Sequence, residues 1–226
     1  VDEFLDMTPA EEDVYHALED YISTTYNNAS EDKRSAVGFV MTTYRKRLAS
    51  SFFALRETLE ERLKMVSDQA SLPFNALRTS EDAEDDEDDA GDQADDEAVA
   101  AQKLAALHYE EQGDIQQLLA QVRRLPVDSK AVRLVEVLQA LQKGSFHAID
   151  GSLLPAYPQA IVFTQYTDTL DYLRDHLKGQ GFSILCYSGR GGEWLQPDGI
   201  WRKLSREETK RRFRAGDAQV LVCTDA

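Results

Sequence analysis

The chain contains few cysteines and histidines, and none of them lies in a metal-binding or catalytic pattern. Cys186 and Cys223 both sit within apolar runs, so we expect two small buried core residues in a reducing compartment. Four histidines lack a second ligand at metal-binding spacing: His16, His108, His147 and His176. No Ser–His–Asp or Cys–His arrangement is suggested either. The sequence therefore predicts no metal site and no catalytic residue of its own.

Long apolar runs and nucleotide-binding motifs are also missing. No stretch approaches the roughly 20 apolar residues that a membrane span needs, and no signal-like segment opens the chain. We therefore expect a soluble cytoplasmic protein that has no membrane partner. A GxxxxGK[ST] phosphate loop and an acidic box similar to Asp-Glu-Ala-His are absent. A Rossmann-type nucleotide enzyme is a poor interpretation, because no GxGxxG motif follows any predicted strand.

Acidic residues are abundant but concentrated in one segment. Residues 81–97 carry twelve Asp or Glu and no Lys or Arg, whereas the net charge of the whole chain is −16. Such a segment repels itself and has little apolar surface to bury, so it is predicted to be disordered. It is either a solvated spacer or, as a sharper hypothesis, an autoinhibitory mimic of DNA that competes for a basic groove. Deletion of 81–97 without a change in DNA affinity at low salt would exclude the second interpretation.

The chain divides into three predicted zones. Residues 1–72 have apolar positions at helical spacing, and Thr8-Pro9-Ala10-Glu11 combines a capping box with a proline at the first helical position. Residues 73–103 form the acidic linker. In residues 104–226, helical patterning resumes and then gives way to short apolar strands that alternate with helices. The sequence predicts a helical region, a linker and an α/β region.

The α/β prediction depends on three apolar runs: Ala160–Thr164, Phe182–Tyr187 and Ala218–Cys223. Continuous apolar strands alternating with helices are typical of a parallel sheet that is covered by helices on both faces. Between the second run and the next helix we predict a glycine-containing loop, which Trp194 and Trp201 flank. Packing is the simpler expectation for these two rings, and base stacking is the alternative.

Each of the three predicted strands ends in polar residues. They are Thr164-Gln165-Tyr166, Tyr187-Ser188-Gly189-Arg190 and Thr224-Asp225. In open parallel sheets, ligands bind beyond the carboxyl ends of the strands, and hydroxyl, amide and glycine backbone groups suit contacts to phosphate oxygens. Ordinary turn and helix-capping chemistry accounts for any one of these residues. Three polar ends in register are harder to explain in that way.

A local excess of positive charge follows the second strand. Residues 186–216 contain eight Lys or Arg and four Asp or Glu. The excess is the footprint expected of a protein that binds a phosphate backbone. It is equally what a solvated helix face with ion pairs such as Glu207–Arg211 and Glu208–Arg212 would give. Charge alone does not decide between these interpretations.

Five segments follow one another in a specific order. Three of them resemble elements of Swi/Snf-type superfamily two helicases. Motif four is resembled by QAIVFTQYTDTLDYLRDHL, and the strand-and-glycine element after it by CYSGRGG. The approach to motif five is resembled by LSREETKRRFRAGDAQVLVCTDA. Upstream, VGFVMTTYRKRLASSFFALRETLEER is similar to the helical segment between the lobes of bacterial Swi/Snf-like ATPases, including the RNA-polymerase-associated kind. DSKAVRLVEVLQALQ resembles the helix that precedes motif four. The resemblance covers nearly all of the chain except the acidic segment.

The resemblance implies a parallel RecA-like sheet of the P-loop NTPase type in residues 104–226, as an incomplete second lobe that stops within motif five. Residues 1–72 would be the helical inter-lobe region. In this family, two lobes hold ATP and Mg²⁺ between them and move along duplex DNA. The first lobe supplies the phosphate loop and magnesium ligands, and motif six supplies arginines; neither is present here. The parent protein would be an ATP-dependent translocase, whereas this part would bind no ATP and hydrolyse none.

The resemblance also implies DNA-backbone contacts for particular residues. They are Thr164, Gln165 and Tyr166 of motif four, Ser188, Gly189 and Arg190 of the following loop, and Thr224 of motif five. These groups would hold phosphate oxygens without reading the base sequence. Besides DNA, the implied partner is the missing first lobe. The alternative from another class is a non-enzymatic interaction module that kept the lobe fold and binds a protein partner through its helical region.

Overall fold

The computed structural model describes residues 4–31, 34–67, 108–148, 150–196 and 199–224. The predicted linker 73–103, with the acidic segment 81–97, lies outside these residues. Within them the chain is an α/β protein with seven helices and one mixed sheet of five strands. It forms two compact units, of which one is Met7–Pro126 and the other contains the described residues from Val127 onward.

The described part of the first unit consists of four helices: α1 (Pro9–Asn28), α2 (Arg34–Ser50), α3 (Phe52–Ser67) and α4 (His108–Val122). The predicted capping box begins α1. Thr8 Oγ1 accepts a hydrogen bond from the Glu11 backbone N–H, and Glu11 Oε2 accepts one from the Thr8 backbone N–H. None of the helices in the described ranges is both long enough and apolar enough to pass through a bilayer.

Helix α4 packs with the helices that precede the acidic segment. Ile115, Leu118 and Leu119 are buried in the same apolar core as residues of α1, α2 and α3. The compact units therefore separate after Pro126, whereas the predicted boundary at residue 104 grouped this helix with the sheet. Apolar periodicity identifies the buried face of a helix but does not say which neighbour covers that face.

The second unit contains the sheet. Its elements are α5 (Ser129–Lys143), β1 (Ala160–Thr164), α6 (Thr167–Gly179), β2 (Ile184–Ser188), β3 (Gly191–Leu195), β4 (Trp201–Leu204), α7 (Arg206–Ala215) and β5 (Val220–Thr224). The strand order is β1-β5-β2-β3-β4. The three strands predicted from apolar runs are β1, β2 and β5, and they run parallel to one another.

The prediction of a purely parallel sheet is wrong on one side. The segment predicted as a glycine-containing loop forms β3 and β4, which pair antiparallel with β2 and with each other. Both strands are short, and glycine and charged residues interrupt their apolar positions. They therefore lack the continuous apolar run by which the buried parallel strands were recognised.

Helices cover the sheet from opposite faces. Leucines of α6 share a core with Val220 and Val222 of β5 and with Ile184 of β2. Helix α7 packs against β2 and β3. Neighbouring side chains along a strand point to opposite faces of the sheet. On β3, Glu193 contacts Arg174 of α6, whereas the adjacent Trp194 contacts Arg212 of α7 on the other face. The β3–β4 hairpin is thus held between the two helices.

Candidate nucleic-acid interface

The polar ends of the three parallel strands lie at one edge of the sheet. Thr164, the last residue of β1, is the register partner of Thr224, the last residue of β5. On the other side of β5, Cys223 is paired with Tyr187, and Ser188 follows that pair as the last residue of β2. Ser188 and Thr224 are buried, and Thr164 is half-buried. The structure therefore brings together three hydroxyl residues that were predicted to form a site.

The two predicted contact residues that follow Thr164 connect β1 to α6. Gln165 is exposed, and Tyr166 is buried at the N-cap of α6 without a side-chain hydrogen bond to the helix. In α1 and α7, by contrast, Thr8 and Ser205 cap the first turn. Backbone N–H groups at a helix N-terminus attract anions, although Asp168 in the same turn partly offsets the positive end of the helix dipole.

The remaining predicted residues form a tight turn between β2 and β3. Ser188 is paired with Gly191, so Gly189 and Arg190 are the two residues of the turn, and both are exposed. The backbone N–H of Arg190 donates a hydrogen bond of 3.2 Å to Ser188 Oγ. Since a hydroxyl both accepts and donates, Ser188 keeps a proton that it could donate to a phosphate oxygen.

The Arg190 side chain is part of a chain of alternating charges. Its guanidinium makes two hydrogen bonds of 3.0 Å to Asp171 of α6. Asp171 also accepts a hydrogen bond of 2.9 Å from Arg174, whose Nη1 lies 3.2 Å from Glu193 of β3. Lys203 of β4 pairs with the same Glu193. The network connects the helix after β1 to both strands of the hairpin, and the sequence reasoning missed it.

The network changes the ionisation of its central members. Burial alone would raise the pKa of Glu193, but the hydrogen bond from Lys203 and the charges of Lys203, Arg174 and Arg190 hold that pKa below its usual value. Burial likewise opposes the charged form of Arg174. Its hydrogen bond to Asp175 and the nearby carboxylates nevertheless raise the pKa of Arg174. Both groups are therefore charged at neutral pH.

The basic residues of α7 are largely ion-paired. One of the two predicted pairs is confirmed, with Arg212 Nε 2.8 Å from Glu208 Oε1. The other is wrong, because Arg211 pairs with Glu208 and Glu207 pairs with Lys210. Residues three and four apart both face each other on a helix, so the spacing alone could not choose between these partners.

The predicted basic patch is consequently weaker than its composition indicates. Arg190, Lys203 and most cations of α7 have carboxylate partners. Among the residues that the structure describes, the cations of residues 186–216 without an ion pair are Arg202, Arg206 and Arg214. Exposed ion pairs are weak, at about 0–1 kcal/mol, so a polyanion can displace them. The patch can therefore still bind phosphates, but only in competition with its own acids.

The two tryptophans pack against arginines, as the simpler expectation had it. The guanidinium carbon of Arg212 lies 4.0 Å from the centroid of the Trp194 ring, and that of Arg174 lies 5.1 Å from the Trp201 ring. These are distances at which cations are attracted to aromatic faces. The rings anchor opposite faces of the hairpin to α7 and α6.

The described residues contain no cluster suited to a metal ion: no group of three or more His, Cys, Asp or Glu is placed to hold one. Cys186 and Cys223 are buried and form no disulfide, and burial raises the pKa of the Cys186 thiol to about 12. This thiol is therefore neither a ready ligand nor a nucleophile. What the edge at Thr164, Ser188 and Thr224 can do is donate hydrogen bonds to an anion.

Comparisons with known proteins give no relative. The chain matches no protein-family model, no curated protein and no solved structure. The interpretation of the edge therefore depends on its own geometry and on the motifs in the sequence.

Proposed function

We propose that this chain is part of an ATP-dependent DNA translocase of the Swi/Snf type, and that it comprises the helical inter-lobe region and most of the second RecA-like lobe. Within that motor its task is to hold the nucleic-acid backbone. The observation that supports the proposal is the convergence of Thr164, Thr224 and Ser188 at one edge of the sheet. In open parallel sheets that edge is where ligands bind.

The groups at this edge match the chemistry of a phosphate backbone. Threonine and serine hydroxyls donate to phosphate oxygens, as do the Gln165 amide and the first backbone N–H groups of α6. None of these groups distinguishes one base from another. Binding is therefore expected to be independent of sequence, as a protein that moves along DNA requires.

In the complete motor, ATP and Mg²⁺ would lie between this lobe and the first one. Arginines at that interface would stabilise the charge on the γ-phosphate. As the gap between the lobes closes and opens, the two lobes would bind the DNA strand in turn. This chain would supply contacts that bind the DNA strand, and it would not supply the groups that carry out phosphoryl transfer. We accordingly expect that it hydrolyses no ATP alone, and turnover above a buffer control would contradict the proposal.

The proposal is tested by fluorescence anisotropy with a labelled DNA duplex over a range of salt concentrations. Wild-type protein should bind weakly, and its affinity should fall as salt rises, because each neutralised phosphate releases counterions. The double variant Thr164→Val/Ser188→Ala removes two hydroxyls with little change in shape and should weaken binding several-fold. Thr43→Val is the matched control, since Thr43 Oγ1 donates its hydrogen bond within helix α2, to the Phe39 carbonyl oxygen.

Equal affinity of the double variant and the control variant would remove the sheet edge from the interface. No binding of any duplex by folded wild-type protein would contradict nucleic-acid binding altogether. The interaction module with a protein partner would then be the better interpretation.

A further inference from the structure

Arg190 is the only cation among the seven predicted contact residues, and a carboxylate of its own unit occupies it. Arg190 Nη1 lies 3.0 Å from Asp171 Oδ2, and Nη2 lies 3.0 Å from Asp171 Oδ1. Two parallel hydrogen bonds of this kind are also how a guanidinium binds a phosphate group. The Asp171 carboxylate therefore sits where two phosphate oxygens would bind.

Asp171 can release Arg190 without being left unpaired. Its Oδ1 also accepts a hydrogen bond of 2.9 Å from Arg174, which is more buried than Arg190 and is fixed between α6 and Glu193. When one partner of a carboxylate leaves and no other remains, the unpaired charge is costly. Arg174 removes most of that cost, so Arg190 is the partner that can exchange.

Arg190 is also placed where it can exchange its carboxylate partner for a phosphate. It lies in the two-residue turn between β2 and β3, and 40 % of its side chain is exposed, against 27 % for Asp171 on helix α6. Exposed ion pairs contribute only about 0–1 kcal/mol, which several phosphate contacts made together can exceed. A single small anion, which lacks the additional contacts to the strand ends, would compete poorly.

We propose that Asp171 is a built-in competitor for the phosphate that Arg190 binds, and that it makes this edge selective for a continuous phosphate backbone over isolated anions. The inference rests on the proposed function of the edge. Binding of the backbone exchanges the Asp171 carboxylate for a phosphate at Arg190, while Asp171 stays paired with Arg174. No bond other than these hydrogen bonds changes.

The test is the variant Asp171→Asn, in which the competing charge is removed and the side-chain size is kept. In the anisotropy titration its affinity for duplex DNA should rise about twofold to fivefold at low salt, the change expected when a weak ion pair no longer competes. The slope of log affinity against log salt should stay unchanged, because Arg190 neutralises the same phosphate in both proteins. In an Arg190→Ala background the rise in affinity should shrink to the size of the Asp175→Asn effect.

Asp175→Asn is the matched control. Asp175 lies on the same helix, and its substitution removes the same charge. Asp175 pairs with Arg174 Nε rather than with Arg190. Its effect should be smaller and should persist in the Arg190→Ala background. Because the Asn amide could itself contact Arg190, Asp171→Ser is a second variant, and it should bind as Asp171→Asn does. Thermal unfolding of each variant verifies that the fold is intact.

Three outcomes would overturn the inference. Equal tightening by Asp171→Asn and Asp175→Asn would mean that only general charge matters. Tightening by Asp171→Asn that persists undiminished without Arg190 would mean the same. Weaker binding by both Asp171 variants would make Asp171 a support for Arg190 rather than a competitor. In each case the Thr164→Val/Ser188→Ala variant still reports on the proposed function, and if no folded protein binds DNA, both proposals fail.

Discussion

Gly192 of β3 lies directly against Thr209 of α7. A Cβ atom added to Gly192 would come within 2.0 Å of Thr209 Oγ1 and within 3.1 Å of the Leu204 carbonyl oxygen. Thr209 is buried, and its hydroxyl donates a hydrogen bond of 2.9 Å to the Ser205 carbonyl, so it has little room to move. The absence of a side chain at Gly192 is what lets the helix pack closely on the hairpin.

The variant Gly192→Ala should therefore be destabilised. Forcing a methyl group into a packed contact costs about 1–3 kcal/mol, which urea unfolding would detect. Removing the opposing hydroxyl with Thr209→Ala should recover part of that loss in the double variant. Gly113→Ala is the control: it lies in helix α4 with nothing within 4 Å of the added atom. It should stabilise by about 0.5–1 kcal/mol, because alanine favours the helix.

The ion pairs of Glu193 predict a dependence of stability on pH. Because the folded-state pKa of Glu193 is lowered, its contribution is present above the ordinary value of 4.5 and is lost as pH falls through the folded pKa. Glu193→Gln should lower the melting temperature at neutral pH and reduce its fall on acidification. Lys203→Met should reduce the same fall, since the hydrogen bond from Lys203 is the largest influence that lowers this pKa. An unchanged acid dependence in both variants would contradict this account.

The sequence predicted those helix ends and strands that depend only on residues close to one another in the chain. The predicted cap at Thr8 accepts the hydrogen bond expected of it. Ser205 caps α7 in the same local way, and Gly144 and Gly216 end their helices in the left-handed conformation. The apolar run at Ala160–Thr164 forms a strand for the same reason. Each of these depends on residues within about one turn of helix or one strand.

Contacts between distant residues were not predictable in this way. The hairpin strands β3 and β4 are held by Arg174 and Arg212 from two different helices, and neither contact leaves a pattern along the chain. The pair Arg190–Asp171 spans 19 residues, whereas Glu208–Arg212 follows from helical spacing. The sequence could therefore place the polar strand ends at one edge, but it could not identify the carboxylate that occupies the arginine there.

Adjacent residues of β1 should respond very differently to the same substitution. Val162 packs against the core of the second unit, whereas Phe163, on the opposite face of this edge strand, is 66 % exposed. Phe163→Ser should change the free energy of unfolding by less than about 0.5 kcal/mol, as is usual at exposed sites, and Val162→Ser should cost about 1–3 kcal/mol. Urea unfolding of the two variants measures both values. If Phe163→Ser were as destabilising as Val162→Ser, the Phe163 side chain would be buried in solution, and some other part of the protein or a second molecule would have to cover this face of β1.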